Sequence, residues 1–188
     1  MGAWPAVVHE KGYRTELMSR AISTRRAEEF VLREGKFVKV DLPDTVDTQQ
    51  AERTLYVRLR EDWKPGATAF KAGTLLAIDF ERFLGGARDF EVVFTPGERV
   101  SLASYTPLKS MVLLTVLDNV ASRVFEVHRT PDGKWERREV ATPKLATISV
   151  DALERRESDD YEMYAYGFTM PTTLFLARGG SDAREKVK

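Results

Sequence analysis

The sequence contains no cysteine and only two histidines among its 188 residues. The absence of cysteine excludes disulfides, thiol nucleophiles and zinc–thiolate sites, although it does not indicate a cellular compartment. With two imidazoles available, His9 and His128, a histidine-based catalytic or metal site has very few candidates.

The chain also lacks an excess of charge of either sign and lacks a long apolar run. Lys+Arg and Asp+Glu are equal at 29 each, and no basic run is interleaved with aromatic residues, so neither nucleic acid nor a membrane surface is expected as a partner. No apolar stretch approaches the roughly 20 residues of a membrane span. The first five residues lack the features of a signal peptide, and the compartment stays open.

The clearest pattern lies in the stretch 99–140, which predicts four short strands joined by turns. Asp118-Asn119 and Pro131-Asp132-Gly133 are turn sequences. The predicted strands are Val100–Tyr105, Met111–Leu117, Arg123–His128 and Lys134–Val140. The second is almost wholly apolar and the fourth is highly charged, which is typical of one blade of a β-propeller. One sheet of a β-sandwich is the alternative.

Similar hairpins flank this stretch. The further predicted strands are Glu29–Leu32, Phe37–Val40, Arg53–Arg60, Thr74–Phe80, Glu91–Phe94, Ala146–Val150, Tyr161–Gly167 and Thr172–Ala177. Tyr13–Ala27 fits either a strand or a helix, and the strand is favoured. Asp79 is expected to cap a short helical turn that ends at Gly85-Gly86.

The hairpins recur at roughly 50-residue intervals, the period of four-stranded blades. We therefore predict an all-β chain of consecutive four-stranded antiparallel blades, a partial β-propeller of about three and a half to four blades. Residues 1–19 are predicted to be an N-terminal extension or partial first strand, 20–177 the propeller, and 178–188 a polar tail. The last blade is expected to lack its fourth strand.

Several sequence segments, taken in order along the chain, resemble those of a known family. They are Glu34–Asp44, Leu55–Trp63, Gly73–Phe80, Leu114–Val120 and Glu157–Tyr161. From about Ile22 to Ala177 the chain resembles the propeller domain of bacterial members of the prolyl oligopeptidase family of serine peptidases.

In that family a seven-bladed propeller caps an α/β-hydrolase domain and admits peptides, not folded proteins, to a Ser-Asp-His triad. Since the chain is similar only to the later part of that propeller, the resemblance implies a non-catalytic fragment. Its implied partners are the missing hydrolase domain, the remaining blades and, in the parent enzyme, oligopeptide substrates.

Individual residues give no strong catalytic candidate. Gly179-Gly180-Ser181 resembles the start of the family's nucleophile turn, but Asp182-Ala183 departs from the pattern and no histidine follows Ser181. His128 is expected to have a structural or solvated role. We therefore predict no catalytic residue in this chain.

Carboxylates and glycines give no better site. The pairs Asp44/Asp47 and Asp159/Asp160 lack the regular spacing of a calcium loop, and Gly85-Gly86 lacks a phosphate-binding pattern. No metal site and no cofactor is predicted.

Two further expectations concern binding. An independent peptide- or protein-binding scaffold is the alternative function, with loops around Trp63, which is expected to be exposed, and Thr106-Pro107 as its contact points. A partial propeller also leaves one blade face uncovered at each end. If each exposes about 500 Å² of apolar surface, its reburial is worth roughly 12 kcal/mol before association entropy is subtracted. A homo-oligomer is therefore expected, with a compact four-bladed closure, which would also cover both faces, as the alternative.

Overall fold

The protein is described by a computed structural model, which covers residues 2–10, 12–168 and 170–187. Met1, Lys11, Thr169 and Lys188 lie outside the described residues, as do the parts of the predictions for 1–19 and 178–188 that fall on them. The described strands form four four-stranded antiparallel sheets. The predicted all-β class and the series of four-stranded blades are confirmed.

Two compact units contain these sheets, Met1–Thr95 and Pro96–Lys188. In the first unit, sheet 1 consists of β1 (Ala3–Glu10), β2 (Tyr13–Ser23), β3 (Arg26–Arg33) and β4 (Lys36–Lys39). Sheet 2 consists of β5 (Val46–Ala51), β6 (Thr54–Leu59), β7 (Leu75–Asp79) and β8 (Glu91–Phe94), with helix α1 (Phe80–Leu84) after β7.

The second unit repeats the pattern. Sheet 3 consists of β9 (Val100–Pro107), β10 (Val112–Asp118), β11 (Ala121–Arg129) and β12 (Trp135–Val140). Sheet 4 consists of β13 (Thr147–Ala152), β14 (Asp160–Gly167), β15 (Met170–Arg178) and β16 (Arg184–Lys186). In each sheet the strands pair in chain order, so consecutive strands are antiparallel neighbours and each sheet is a meander.

Turn chemistry explains where the hairpins form. Glu34 and Gly35 both have positive φ, 49° and 76°, as a two-residue type I′ turn requires. Asn119 at φ 57° and Gly133 at φ 84° make the corresponding turns of sheet 3. The predicted helix is also confirmed, because the Asp79 side chain accepts the N–H of Arg82 at 2.9 Å and Gly85 is the C-cap of α1.

The structure differs from the predictions at both ends. The first blade has its opening strand, β1, and the last blade has a fourth strand, β16, which pairs with residues of β15 from Phe175 to Ala177. Pro5 is tolerated in β1 because β1 is an edge strand. The residues of β16 are polar because an edge strand is wet, which made them resemble a tail.

Two other differences concern strand boundaries. Tyr13–Ala27 is extended as favoured, but a turn at Thr24-Arg25 divides it between β2 and β3. Pro171, expected to precede a strand, lies within β15 beside a register shift, where its missing N–H is accommodated.

Each unit has its own apolar core. Sheet 1 contributes Val31 to the first core, which is otherwise built from sheet 2, α1 and adjoining loops; its largest fully buried side chains include Phe80 and Phe83. The second core joins sheet 3, through Leu113 and Val124, to the inner side of sheet 4. Burial of each sheet against its neighbour is the main stabilising contribution.

A glycine-to-alanine comparison tests the hairpin turn. Gly35→Ala is expected to destabilise the protein by about 1 kcal/mol, because an L-residue at φ 76° is strained although a Cβ there meets nothing within 4 Å. Gly66→Ala in the same unit is the control. Its φ is not in the left-handed region and its Cβ would make an ordinary 3.5 Å contact with Arg88. Denaturant unfolding midpoints measure both, and equal effects would contradict this explanation.

Candidate functional site

Ser181 lies in the hairpin that joins β15 to β16. Its backbone N–H donates to the Arg178 carbonyl at 3.3 Å, and its Oγ accepts the N–H of Ala183 at 3.0 Å. A nucleophile elbow turns from a strand into a helix, whereas this turn passes from a strand into a strand. The Ser181 hydroxyl therefore holds the hairpin, and its lack of a catalytic role stays a prediction.

The two histidines lie in different sheets from Ser181 and from each other. His9 is in β1 of sheet 1 and His128 is in β11 of sheet 3, and both are exposed. The Nε2 atom of His128 lies 4.0 Å from Oε2 of Glu136, its direct cross-strand partner. The structure thus distributes the Ser and His candidates over three sheets.

Each carboxylate of the candidate cation pairs faces its own donor. Asp44 accepts a hydrogen bond from Arg26 at 3.0 Å, and Asp47 accepts one from Nε of Arg60 at 3.1 Å. Asp160 pairs with Arg178 at 2.8 Å, and this hydrogen bond lowers the pKa of the Asp160 carboxyl. Within the described part of the chain, no group of three or more potential ligands is arranged to hold a metal ion.

Asp159 has a separate structural role. Its carboxylate accepts the backbone N–H of Ser110 at 2.8 Å and the Ser110 hydroxyl at 2.5 Å. Its own carbonyl accepts the N–H of Gly179 at 2.9 Å. Asp159 therefore connects the turn between β9 and β10 to sheet 4.

The residues proposed for a binding scaffold are engaged in packing. Trp63 is half-buried, and its ring packs edge-on against Phe90 at 5.1 Å between centroids. Thr106 donates its hydroxyl to the carbonyl of Val150 at 3.0 Å, and Pro107 is buried at the end of β9. The expectation that Trp63 is exposed is wrong, because the loop containing it folds back through a bridge to Phe70.

A buried ion pair that the sequence reasoning missed fixes the Ser181 hairpin. Glu126 in β11 is 3% exposed, and its Oε2 accepts hydrogen bonds from Nε of Arg138 at 2.9 Å and from the N–H of Gly180 at 3.0 Å. Arg138 also contacts Asp182 at 2.8 Å. A lone carboxylate in an apolar strand, with an arginine directly opposite it in the next strand, is the signal that could have revealed this pair.

Sheet 1 has one face on which no described side chain is buried. Direct cross-strand partners lie on the same face of a sheet, and this face contains the cross-strand partners Pro5, Met18 and Phe30. We name it the open face of sheet 1; its apolar residues are Pro5, Val7, Met18, Phe30, Leu32 and Phe37, and its charged residues are Arg14, Glu16, Arg20, Glu28 and Lys39. Val7 and Phe37 are 56% and 48% exposed.

Sheet 4 has a corresponding open face. Its inner face is buried through Val150, Met163 and Ala177, whereas no residue in the register Ser149, Tyr164, Leu174 is buried. We name the latter the open face of sheet 4; it carries Tyr164, Tyr166, Leu174 and Leu176 with the charged residues Asp151, Asp160, Glu162, Arg178 and Glu185. By contrast, strands β7 and β10 contain runs of consecutive buried residues, so sheets 2 and 3 are covered on both faces.

Comparison with known sequences found two relatives named as peptidases, and no family model matches. An uncharacterized peptidase of Sinorhizobium fredii is 32% identical over 134 residues, which is 69% of this chain and 18% of that protein. An uncharacterized peptidase of Rickettsia prowazekii is 31% identical over 93 residues, which is 47% of this chain and 13% of that protein. The chain thus spans less than one fifth of these relatives.

Solved structures resemble nearly the whole chain. A post-proline cleaving enzyme from Rickettsia typhi matches 93% of it with a TM-score of 0.79 at 19% identity, over 26% of that enzyme. A structure from a study of two prolyl endopeptidases matches 98% with a TM-score of 0.70 at 15% identity, over 26% of its chain. Oligopeptidase B from Trypanosoma brucei matches 99% with a TM-score of 0.70 at 14% identity, over 27% of its chain.

The fold and the two open faces define the class of protein as a partial β-propeller. The peptidase relatives and the three structural matches point to a more particular similarity. The chain is similar in fold to the propeller domain of prolyl oligopeptidases and in sequence to relatives named as peptidases. Across the described residues, no helix has the length and apolar character needed to cross a membrane.

Tyr161 provides a pH-dependent test of the core beside the Glu126 pair. Its hydroxyl is buried and has no hydrogen-bond partner among the described residues. Burial, together with the nearby Glu126 carboxylate, raises the pKa of Tyr161 to about 12. Since an unfolded tyrosine has a pKa of about 10, the neutral phenol contributes stability that is fully present below about pH 10 and is lost as the pH rises through about 12.

Tyr161→Phe is therefore expected to leave stability near neutral pH almost unchanged and to reduce its loss between about pH 10 and 12. Tyr166→Phe, at a residue that is 47% exposed, is the control and should retain the wild-type alkaline profile. Thermal unfolding across this pH range distinguishes them. A large loss of stability in Tyr161→Phe at neutral pH would show that its hydroxyl has a partner.

Proposed function

We propose that this chain is the propeller segment of a prolyl-oligopeptidase-type serine peptidase, in which it restricts and orients oligopeptide substrates. The observation that carries the proposal is the match of four consecutive four-stranded sheets to a post-proline cleaving enzyme over 93% of the chain. The peptidase relative that is 32% identical supports the same assignment from sequence.

Hydrolysis itself is proposed to require a hydrolase domain outside these residues. Two observations support this: the chain corresponds to 26% of the post-proline cleaving enzyme, and Ser181 lies in a strand-to-strand hairpin where its Oγ accepts a backbone N–H. Nucleophilic catalysis instead needs a serine beside a base that a third group orients.

An activity assay separates the segment from the enzyme. The isolated chain is expected not to hydrolyse a fluorogenic proline-containing peptide, and Ser181→Ala should behave identically. A longer polypeptide that includes a hydrolase domain should cleave the reporter and spare a folded protein that carries the same cleavage sequence. Turnover by the isolated chain, proportional to its concentration and retained in Ser181→Ala, would contradict the absence of an active site.

In the parent peptidase, further blades and the hydrolase domain are the proposed partners of this segment. The open faces of sheets 1 and 4 support this, because each presents large apolar side chains that a closed propeller covers with the next blade. For the isolated chain we propose a homo-oligomer, which would rebury those side chains against a second copy.

Solution mass tests self-association directly. Light scattering behind a sizing column should give a dimer or larger species that dissociates on extended dilution. We expect this because the free energy gained by reburying the apolar side chains exceeds the free-energy cost of association. A monomer at every concentration would contradict the homo-oligomer while leaving the peptidase assignment intact.

A further inference from the structure

The open face of sheet 4 carries a row of acidic side chains. The direct cross-strand register places Asp151, Glu162, Leu176 and Glu185 side by side across the four strands. Asp151 and Glu162 are directly opposite each other, an arrangement that is destabilising for like charges. A cationic surface placed over this row would remove the repulsion.

Over the whole open face of sheet 4, carboxylates outnumber cations. Asp151, Asp160, Glu162 and Glu185 stand against Arg178, which is itself paired with Asp160 at 2.8 Å. Tyr164 donates its hydroxyl to Glu162 at 3.0 Å, and that hydrogen bond raises the pKa of Tyr164. This face is therefore acidic around an apolar strip of tyrosine and leucine side chains.

The open face of sheet 1 has the opposite balance. Arg14, Arg20 and Lys39 exceed the carboxylates Glu16 and Glu28. Lys39 pairs with Glu28 at 2.7 Å, and Glu28 also pairs with Arg20, whose guanidinium lies 5.3 Å from the centre of the Phe30 ring. The face is apolar through Val7, Met18, Phe30 and Phe37, with a small excess of positive charge.

We propose that the second copy in the homo-oligomer binds heterologously, the open face of sheet 4 of one copy packing on the open face of sheet 1 of the next. This rests on the self-association proposed above and specifies its partner surfaces. Packing two sheets face to face buries both apolar strips. It also brings the acidic row of Asp151, Glu162 and Glu185 toward the cations of sheet 1.

The charges favour this pairing over a symmetric one. A two-fold interface between two open faces of sheet 4 would oppose two acidic rows, and one between two open faces of sheet 1 would oppose two surfaces of net positive charge. Only the mixed pairing opposes unlike charges while burying apolar side chains on both sides. Repeated head to tail, such contacts close into a ring or extend into a filament.

Two single-face variants of the full chain test the pairing. Phe37→Glu adds a carboxylate to the open face of sheet 1, and Leu176→Arg adds a cation between Glu162 and Glu185. Each alone should raise the self-association dissociation constant by about tenfold or more. Mixed together, they should form a 1:1 heterodimer, because each retains the face that the other has lost. Val120→Glu, at an exposed turn outside both faces, is the control and should associate as the wild type.

Each outcome has a distinct meaning. If one variant alone still self-associates like the wild type, or if the mixture forms no heterodimer, the heterologous pairing is wrong although self-association stands. If the wild type is monomeric throughout, the proposed homo-oligomer itself fails. Circular dichroism checks that both variants fold.

A second measurement avoids substitutions altogether. A zero-length carbodiimide cross-linker applied to mixed light and isotope-labelled wild-type chains should join Lys39 of one copy to an acidic residue of β13, β14 or β16 of another. Intermolecular cross-links confined to residues outside the two open faces would overturn the proposal.

Discussion

The constraint on which this structure depends is that a four-stranded sheet with apolar side chains on both faces must be covered on both faces. In β7 the residues Leu75, Leu76, Ala77 and Ile78 are all buried, and in β10 the same is true from Val112 to Val116. Since successive residues of a strand point to opposite faces, neither strand could be stable in a sheet with one wet side. Because such a sheet needs apolar contacts on both faces, it must have a neighbour on each side. A sheet with a neighbour on only one side keeps one uncovered face.

Polar groups inside this arrangement have specific partners that connect neighbouring sheets. In the first unit, Gln50 of sheet 2 donates to the Tyr13 hydroxyl of sheet 1 at 2.8 Å, and Tyr13 donates to Glu81 of α1 at 3.1 Å. In the second unit, Glu126 of sheet 3 holds Gly180 of sheet 4. Because a misplaced buried polar group costs more than a misplaced apolar one, these bonds fix the position of one sheet on the next within each unit.

The sequence allowed the inner hairpins to be predicted because they combine two independent signals. Around Asp118-Asn119 and Glu34-Gly35, residues that tolerate positive φ separate apolar strands, and the structure has turns at both places. The edge strands β1 and β16 adjoin turns with a positive-φ glycine, Gly12 and Gly180, but their strand signal is weak: one contains a proline and the other is three polar residues long. The exposure of Trp63 was predicted wrongly for a related reason. The bridge to Phe70, which buries one side of Trp63, lies within an irregular loop whose sequence has no periodicity.

Burial constrains the residues that determine the fold, whereas the residues of the open faces, which bear on binding, are not constrained in this way. Core positions are specified by burial, so they report the fold, and at 14–19% identity the structural matches share that fold with different sequences. The open faces are under a different constraint. Their residues are not fixed by burial within the described chain, so the charges they carry can reflect what covers them. An acidic row such as Asp151, Glu162 and Glu185 costs stability in isolation. A surface of opposite charge lying against it offsets this cost, which makes the choice of partner part of the folding energetics of a partial propeller.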